Sequence, residues 1–391
     1  EVENGDFSEV GAEEVTNGDF ATSSNWTLSN TTISDGSLTF VDNSSAAQYA
    51  FQDSVVSTGK IYKINLKVTR TSGTLNVLFG TGGSGVSGVS NITASGTYTF
   101  FTSPLTSTQA GSGRFWAGYT SASDNFVGTV DNVSVKEVGQ DWGFGGGWTI
   151  SGGKAIYDGT GGTSGIVQSN VIEVGKQYKL IVEVLSNQGG GNNTIYLGGS
   201  VVNQSHLAVG THTFYGVTSN TNVSIYIYGR SGEVFEIGSV SVKEVGQHWT
   251  FGTGWSTDGT KAIATASSNS NLVTSASILN GNTYKFTYTV SDYSGSGTVK
   301  PMLGTVGAVV GTPVNANGTY TENLVANANQ STIAFRTGGT AFTGSIDNIV
   351  VQELKHDATN LMLNAGAYQS ANPLITSTNS MEFDGTDDYL N

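Results

Sequence analysis

The sequence predicts an all-β protein: three tandem antiparallel β-sandwich domains followed by a partial C-terminal β segment. Two observations carry this. One unit of about 110 residues recurs three times, and inside each unit apolar residues alternate with a period of two, with no helical stripe of useful length.

The repeat rests on four landmarks in a constant order. Each unit opens on a Trp before a turn and short strand: Trp26-Thr, Trp148-Thr and Trp255-Ser. A mid-unit Gly-x-x-Tyr follows at Gly59–Tyr62, Gly175–Tyr178 and Gly281–Tyr284. A glycine then precedes a strand at Gly96, Gly210 and Gly318. The closing strand Asp131-Asn-Val-Ser-Val-Lys-Glu-Val138 returns as Gly238-Ser-Val-Ser-Val-Lys-Glu-Val245 and, more loosely, as Asp347-Asn-Ile-Val-Val-Gln-Glu-Leu354. These landmarks divide the chain into a lead segment (1–16), unit 1 (17–140), unit 2 (141–247), unit 3 (248–357) and a C-terminal segment (358–391). Each unit is long enough to own a core.

Within the units, Tyr62, Ile64, Leu66 and Val68 alternate with polar residues, and Tyr284–Val290 reads the same way. Such alternation describes a strand with one buried and one wet face. Gly, Asn and Ser clusters supply the turns. Seven or eight short strands in about 110 residues make a sandwich, with the jelly roll as the favoured variant.

Composition agrees. Of 391 residues 54 are Gly and only 12% are charged, yet 16 Tyr, 17 Phe and 6 Trp argue against a disordered chain. The net charge of −14, with 16 scattered Lys and Arg, excludes a nucleic-acid-binding surface. No apolar run is long enough to insert into a membrane as a helix. Cysteine is absent, so no disulfide framework exists. The chain begins at Glu1, which reads as a processed or partial chain.

Asn17-Gly-Asp-Phe20, Trp26, the Gly-x-x-Tyr and the closing Asp-Asn-Val resemble the jelly-roll carbohydrate-binding modules attached to cellulases and xylanases. Tandem copies ending in such a strand are also similar to bacteriophage tail-fibre and head-decoration proteins. The resemblance implies a virion-surface protein whose partners are a host cell-surface glycan and other virion structural proteins. A purely structural spacer and a secreted bacterial polysaccharide-binding or adhesin fragment are the alternatives. It also implies structural Ca²⁺ in units 1 and 3, with Asp19, Asp131 and Asp347 as ligands. Gly238 stands at the matching place in unit 2. Ser380-Met-Glu-Phe-Asp-Gly-Thr-Asp-Asp-Tyr-Leu390 is similar to the first core strand of laminin-G/concanavalin-A-like domains.

No catalytic residues are assigned, and the chain is read as non-enzymatic. The four His fit no nucleophile or metal pattern. The recurring Glu137, Glu244 and Glu353 read as solvated strand ends. Sugar binding needs flat aromatic faces with polar neighbours. Trp residues kept at one place in every unit read as core. Unit-specific aromatics are the candidates: Tyr226 and Tyr228 as an i, i+2 ladder, Tyr196 beside them, Arg230 as a polar clamp, and Trp116 in unit 1. Whether the tyrosines or Ile225 and Ile227 face outward is open from sequence alone. So is a homo-oligomer, which no coiled-coil heptad supports.

Overall fold

The computed structural model describes residues 2–43, 45–80, 91–119, 121, 124–217 and 221–356, with residues 355–356 and 368–376 as backbone only. The three units are jelly-roll sandwiches of one plan. In unit 2, strands Trp148–Ile150, Ala155–Tyr157, Val234–Val245, Gln177–Gln188 and Gly210–Val217 lie side by side in that order. They face a second sheet of Gly143–Phe144, Ser164–Gln168, Ile225–Gly229, Thr194–Leu197 and Ser200–Asn203. Units 1 and 3 follow this order, with four strands in the second sheet of unit 1 among the described residues, and a long antiparallel pair is central to each unit: Ile61–Ser72 with Val127–Val138, Gln177–Gln188 with Val234–Val245, and Thr283–Gly295 with Phe342–His356. Alternation along these strands is the predicted one. Ile64, Leu66 and Val68 are buried while Lys63, Asn65 and Lys67 are not.

The recurring motifs serve this frame. Gly59, Gly175 and Gly281 all take φ near +80° (80, 82 and 83°), which a side chain strains, although each has open space around it. The turn they make brings the motif tyrosine under the preceding loop. There the backbone N–H of Ser57, Glu173 and Leu279 donates to the hydroxyl of Tyr62, Tyr178 and Tyr284 at 2.9, 2.7 and 2.8 Å. The recurring glutamates are not merely solvated strand ends. Lys60 pairs with Glu137 at 2.7 Å and Lys176 with Glu244 at 2.8 Å, and Asn282 donates to Glu353 at 2.8 Å.

Two expectations are corrected. The first concerns the tryptophans. In the register, Thr27 lies opposite Phe51, Gly143 opposite Val167 and Trp249 opposite Thr274. Trp26 therefore corresponds to Trp142 and Trp249, while Trp148 and Trp255 belong to the other sheet, opposite Tyr157 and Ala264. The Trp-Thr dipeptides coincide in sequence but not in place.

The second concerns residues 1–16, which are not a mere lead. Val10–Glu13 pairs along Val127–Val138. Ahead of it, Asn4-Gly-Asp-Phe7 closes unit 2 as Asn17-Gly-Asp-Phe20 closes unit 1. Val133 N–H donates to Gly18 O at 2.8 Å, and Val240 N–H to Gly5 O at 2.7 Å. The Trp26 indole donates to Asn17 O at 2.9 Å, and that of Trp142 to Asn4 O at 3.2 Å. The side-chain amide of Gln52 brackets the backbone of Thr16, and that of Gln168 brackets Glu3. Phe20 packs on Trp26 with ring centroids 5.0 Å apart, and Phe7 on Trp142 at 5.4 Å. Unit 2 is thus closed by a strap that precedes unit 1 in the chain. Val138 joins Phe7 in the unit 2 core, and Val245 lies in the unit 3 core, so the junctions are packed.

Along the unit 3 strand Phe342–His356, residues Tyr368–Thr376 add an antiparallel edge strand. The laminin-G-like stretch 380–390 lies outside the described residues.

Phe7→Ala should cost unit 2 about 3–5 kcal/mol, the usual range for deleting a buried phenyl ring. Native-state hydrogen exchange should show this loss at Leu180 and Val182 but not at Ile64 and Leu66. Equal loss in both units, or none, would contradict the strap assignment.

Candidate glycan-binding face

Unit 2 carries its unit-specific aromatics on the outer face of the sheet that contains Ile225–Gly229. Along this strand Ile225 and Ile227 are fully buried, while Tyr226 and Tyr228 are only half-buried. The apolar face of a sandwich strand must point inward, so the tyrosines point out. The neighbouring strand Thr194–Leu197 sets Tyr196 opposite Tyr226 and Thr194 opposite Tyr228. Tyr226 and Tyr228 stack with centroids 6.1 Å apart and planes 13° apart. Tyr196 meets Tyr228 edge-on at 5.8 Å and 74°. Three rings therefore form one continuous cluster. Exposed Val201, opposite Tyr196, extends its apolar surface.

A residue that sequence reasoning missed makes room for it. Gly165 lies opposite Tyr228, and a Cβ there would come 3.0 Å from that ring. The absent side chain lets Tyr228 lie over the strand. The available signal was a glycine inside a strand, which often marks a close approach. Burial raises the Tyr228 phenol above its ordinary value, with Tyr226 and Tyr196 adding to the rise. Its hydroxyl stays protonated at neutral pH, able to donate and accept.

Arg230 is at the end of the ladder but is not a free clamp. Its guanidinium donates to Thr194 Oγ1 at 2.7 Å, Asn192 O at 2.9 Å and Thr163 Oγ1 at 3.4 Å. Its backbone N–H donates to the Glu233 carboxylate at 3.0 Å, which also accepts from Asn193. Buried Asn193 in turn accepts from Asn187 and from the Leu207 N–H. Arg230 thus fastens the loop that ends the face.

Trp116 occupies the corresponding position in unit 1. It lies between Phe51 and Leu78 as Tyr226 lies between Val167 and Tyr196. Trp116 is however only 2% exposed, covered by Tyr49, which stacks on it at 5.4 Å with planes 4° apart. It cannot itself offer a face to a sugar. The half-exposed rings here are Tyr49 and Phe51, the latter with the Arg114 guanidinium 3.6 Å above it and Asp53 pairing that Arg at 2.7 Å. In unit 3 the same positions hold Ala334, Met302 and Arg336. No ring stands there.

The acids expected to hold calcium do not assemble a carboxylate cage. Asp19 accepts from the Ala21 N–H at 3.3 Å, and Asp131 is engaged by the backbone and side chain of Asn132. Asp347 has one buried oxygen without a partner, and burial raises its pKa against the pull of Lys261. Among the described residues no three His, Asp or Glu side chains converge. An ion that takes six to eight oxygens would draw most of its ligands there from backbone carbonyls, with one carboxylate per unit. His206, in a loop, and His212, on strand Gly210–Val217, contact the carbonyls of Gly191 and Ala208 at 3.1 and 2.7 Å.

No known protein-family model and no curated protein matches this chain. Among solved structures it is similar to a tandem pair of CBM22 domains from Paenibacillus barcinonensis Xyn10C, at 10% identity and a TM-score of 0.25 over 60% of this chain and 98% of that one. It is also similar to a triple jelly-roll turret protein of an archaeal virus, at 12% identity and a TM-score of 0.21 over 82% and 89%. A third likeness is to a cycloalternan-forming enzyme from Listeria monocytogenes in complex with a pentasaccharide, at 8% identity and a TM-score of 0.17 over 77% and 30%. Likenesses this distant carry no argument; the sandwiches are read from the sheets themselves.

Gly165→Val should push the Tyr228 ring off the strand while the core beneath survives. Loss of the Tyr226–Tyr228 ring contacts in nuclear Overhauser spectra, at an unchanged circular dichroism spectrum, is the expected result. Unchanged contacts would contradict the role given to Gly165.

Proposed function

We propose that this chain is a non-enzymatic attachment protein of a virion surface, a tail fibre or head decoration, in which unit 2 binds an extended host-surface glycan. The observation that carries this reading is the outward cluster of Tyr196, Tyr226 and Tyr228. A pyranose packs its C–H face on such rings, and their hydroxyls supply hydrogen bonds. Two residues of strand rise, about 7 Å, separate Tyr226 from Tyr228, so one extended chain touches both. Arg230 holds the end of the face in shape. The tandem plan and its resemblance to phage fibre modules support the virion surface. The ring-free counterpart face in unit 3 favours a second role, that of a spacer, for that unit.

On a glycan array, the full chain should bind extended oligosaccharides. Tyr226→Ala and Tyr228→Ala should each weaken that binding roughly tenfold, the equivalent of about 1.4 kcal/mol, while the melting temperature stays within a few degrees. Unfolding by these substitutions, or a folded chain that binds no glycan, would overturn the reading.

Calcium at Asp131 and Asp347 is a separate proposal. Excess EDTA should lower the melting temperature and added CaCl₂ restore it, because a ligand at a hundred times its Kd contributes about 2.7 kcal/mol. A melting temperature indifferent to both would remove calcium from the account.

A further inference from the structure

Unit 1 repeats one feature of the unit 2 face in reverse. In unit 2, Tyr228 is opposite Gly165. At the same cross-strand position of unit 1, Tyr49 is opposite Gly118. Trp116 corresponds to Tyr226, and Gly118 follows it by two residues as Tyr228 follows Tyr226, while Tyr49 stands where Gly165 stands. A Cβ at Gly118 would come 2.6 Å from both Cα and Cβ of Tyr49, so the glycine makes room for the tyrosine. Tyrosine and glycine have changed strands, yet each face keeps one of each at this place. Closing the core does not require the pair. On strand Gln48–Gln52, residues Gln48, Ala50 and Gln52 are buried, while Tyr49 and Phe51 point outward and are half-buried. Unit 3 has Asn271 opposite Arg336 there.

The outward rings of unit 1 adjoin a polar pair. Tyr49 lays one face on Trp116, with planes 4° apart, and stacks beside Phe51 at 6.3 Å and 29°. Next to them Arg114 forks onto Asp53, Nε to Oδ1 at 2.7 Å and Nη2 to Oδ2 at 3.2 Å. The fork occupies two of the five N–H donors of the guanidinium and leaves each carboxylate oxygen a further lone pair. The Asp53 side chain is 49% exposed and that of Arg114 22%, so both can be reached from solvent. A donor and an acceptor thus stand side by side with their charges cancelled. Adjacent hydroxyls of a sugar match them, one accepting from Arg114 and the next donating to Asp53. An anionic sugar gains nothing here, because Asp53 already neutralises the guanidinium.

We propose that the outer face of unit 1 is a second glycan-binding site, for a neutral pyranose with adjacent free hydroxyls. Tyr49 and Phe51 are its ring platform. Arg114 and Asp53 are its hydrogen-bonding pair, and Trp116 is a positioning residue that holds the Tyr49 ring from beneath. The site rests on the reading that the outward rings of unit 2 bind sugar, and it adds a second point of attachment to the same chain.

A glycan array carrying neutral and acidic oligosaccharides, probed with the full chain, tests this. A chain with Tyr226→Ala and Tyr228→Ala together should still bind neutral oligosaccharides, and adding Tyr49→Ala should weaken what remains at least tenfold. Asp53→Asn, at an exposed side chain, leaves the rings in place and the Arg114 charge uncancelled. It should move the residual binding from neutral to acidic oligosaccharides. Residual binding that is absent, confined to acidic oligosaccharides or indifferent to both further changes would overturn the unit 1 site and leave unit 2 as the binding face. Binding untouched by the two unit 2 substitutions but lost with Tyr49→Ala would sink the unit 2 reading and support this one. A folded chain that binds no oligosaccharide overturns both.

Discussion

Burial of Ile225 and Ile227 is the constraint on which the candidate site depends. A strand's side chains alternate, so sealing two isoleucines in the core commits Tyr226 and Tyr228 to the opposite face. A slip of one residue would bury both rings and expose the isoleucines. The neighbouring strand then decides what the tyrosines meet, Tyr196 on one side and the bare backbone of Gly165 on the other. The site is thus a by-product of core packing: the same register that closes the sandwich assembles the aromatic face.

Closure itself is not local. Each of the first two sandwiches leaves a Trp edge that an Asn-Gly-Asp-Phe strap covers, and the strap of unit 2 arrives from the far side of unit 1. This ties the two units together beyond their short junction, because Phe7 and Val138 are in the unit 2 core. Such an arrangement suits a protein that projects a binding face at a fixed angle, since relative motion of the units would have to break core contacts.

Much of this was legible in the sequence. The repeat, the period of two and the mid-unit Gly-x-x-Tyr give the sandwiches, and the structure supplies the reason for the tyrosine, a hydroxyl that takes a loop N–H. The outward tyrosines were open in sequence because Ile-Tyr-Ile-Tyr is apolar on both faces, and only packing breaks that tie. Trp116 misled because a Trp without a sister in the other units looks free, whereas Tyr49, distant in sequence, covers it. The tryptophan equivalence failed because units 2 and 3 each open with two Trp, Trp142 and Trp148 or Trp249 and Trp255, whereas unit 1 opens with Trp26 alone, so the similar dipeptides fall in different sheets. The role of the first Asn-Gly-Asp-Phe is hidden in the sequence because chain order suggests that a segment serves the unit next to it, and Phe7 packs in the unit 2 core instead.

The central claim is that the unit 2 rings face solvent and meet a sugar chain. Titrating the intact protein, with its tyrosine rings isotopically labelled, with an oligosaccharide that it binds tests this most directly. The account predicts chemical-shift changes at the ring protons of Tyr196, Tyr226 and Tyr228, with those of buried Tyr157 and Tyr178 unmoved. Shifts confined to other tyrosines, or spread evenly over buried and outward rings, would contradict it.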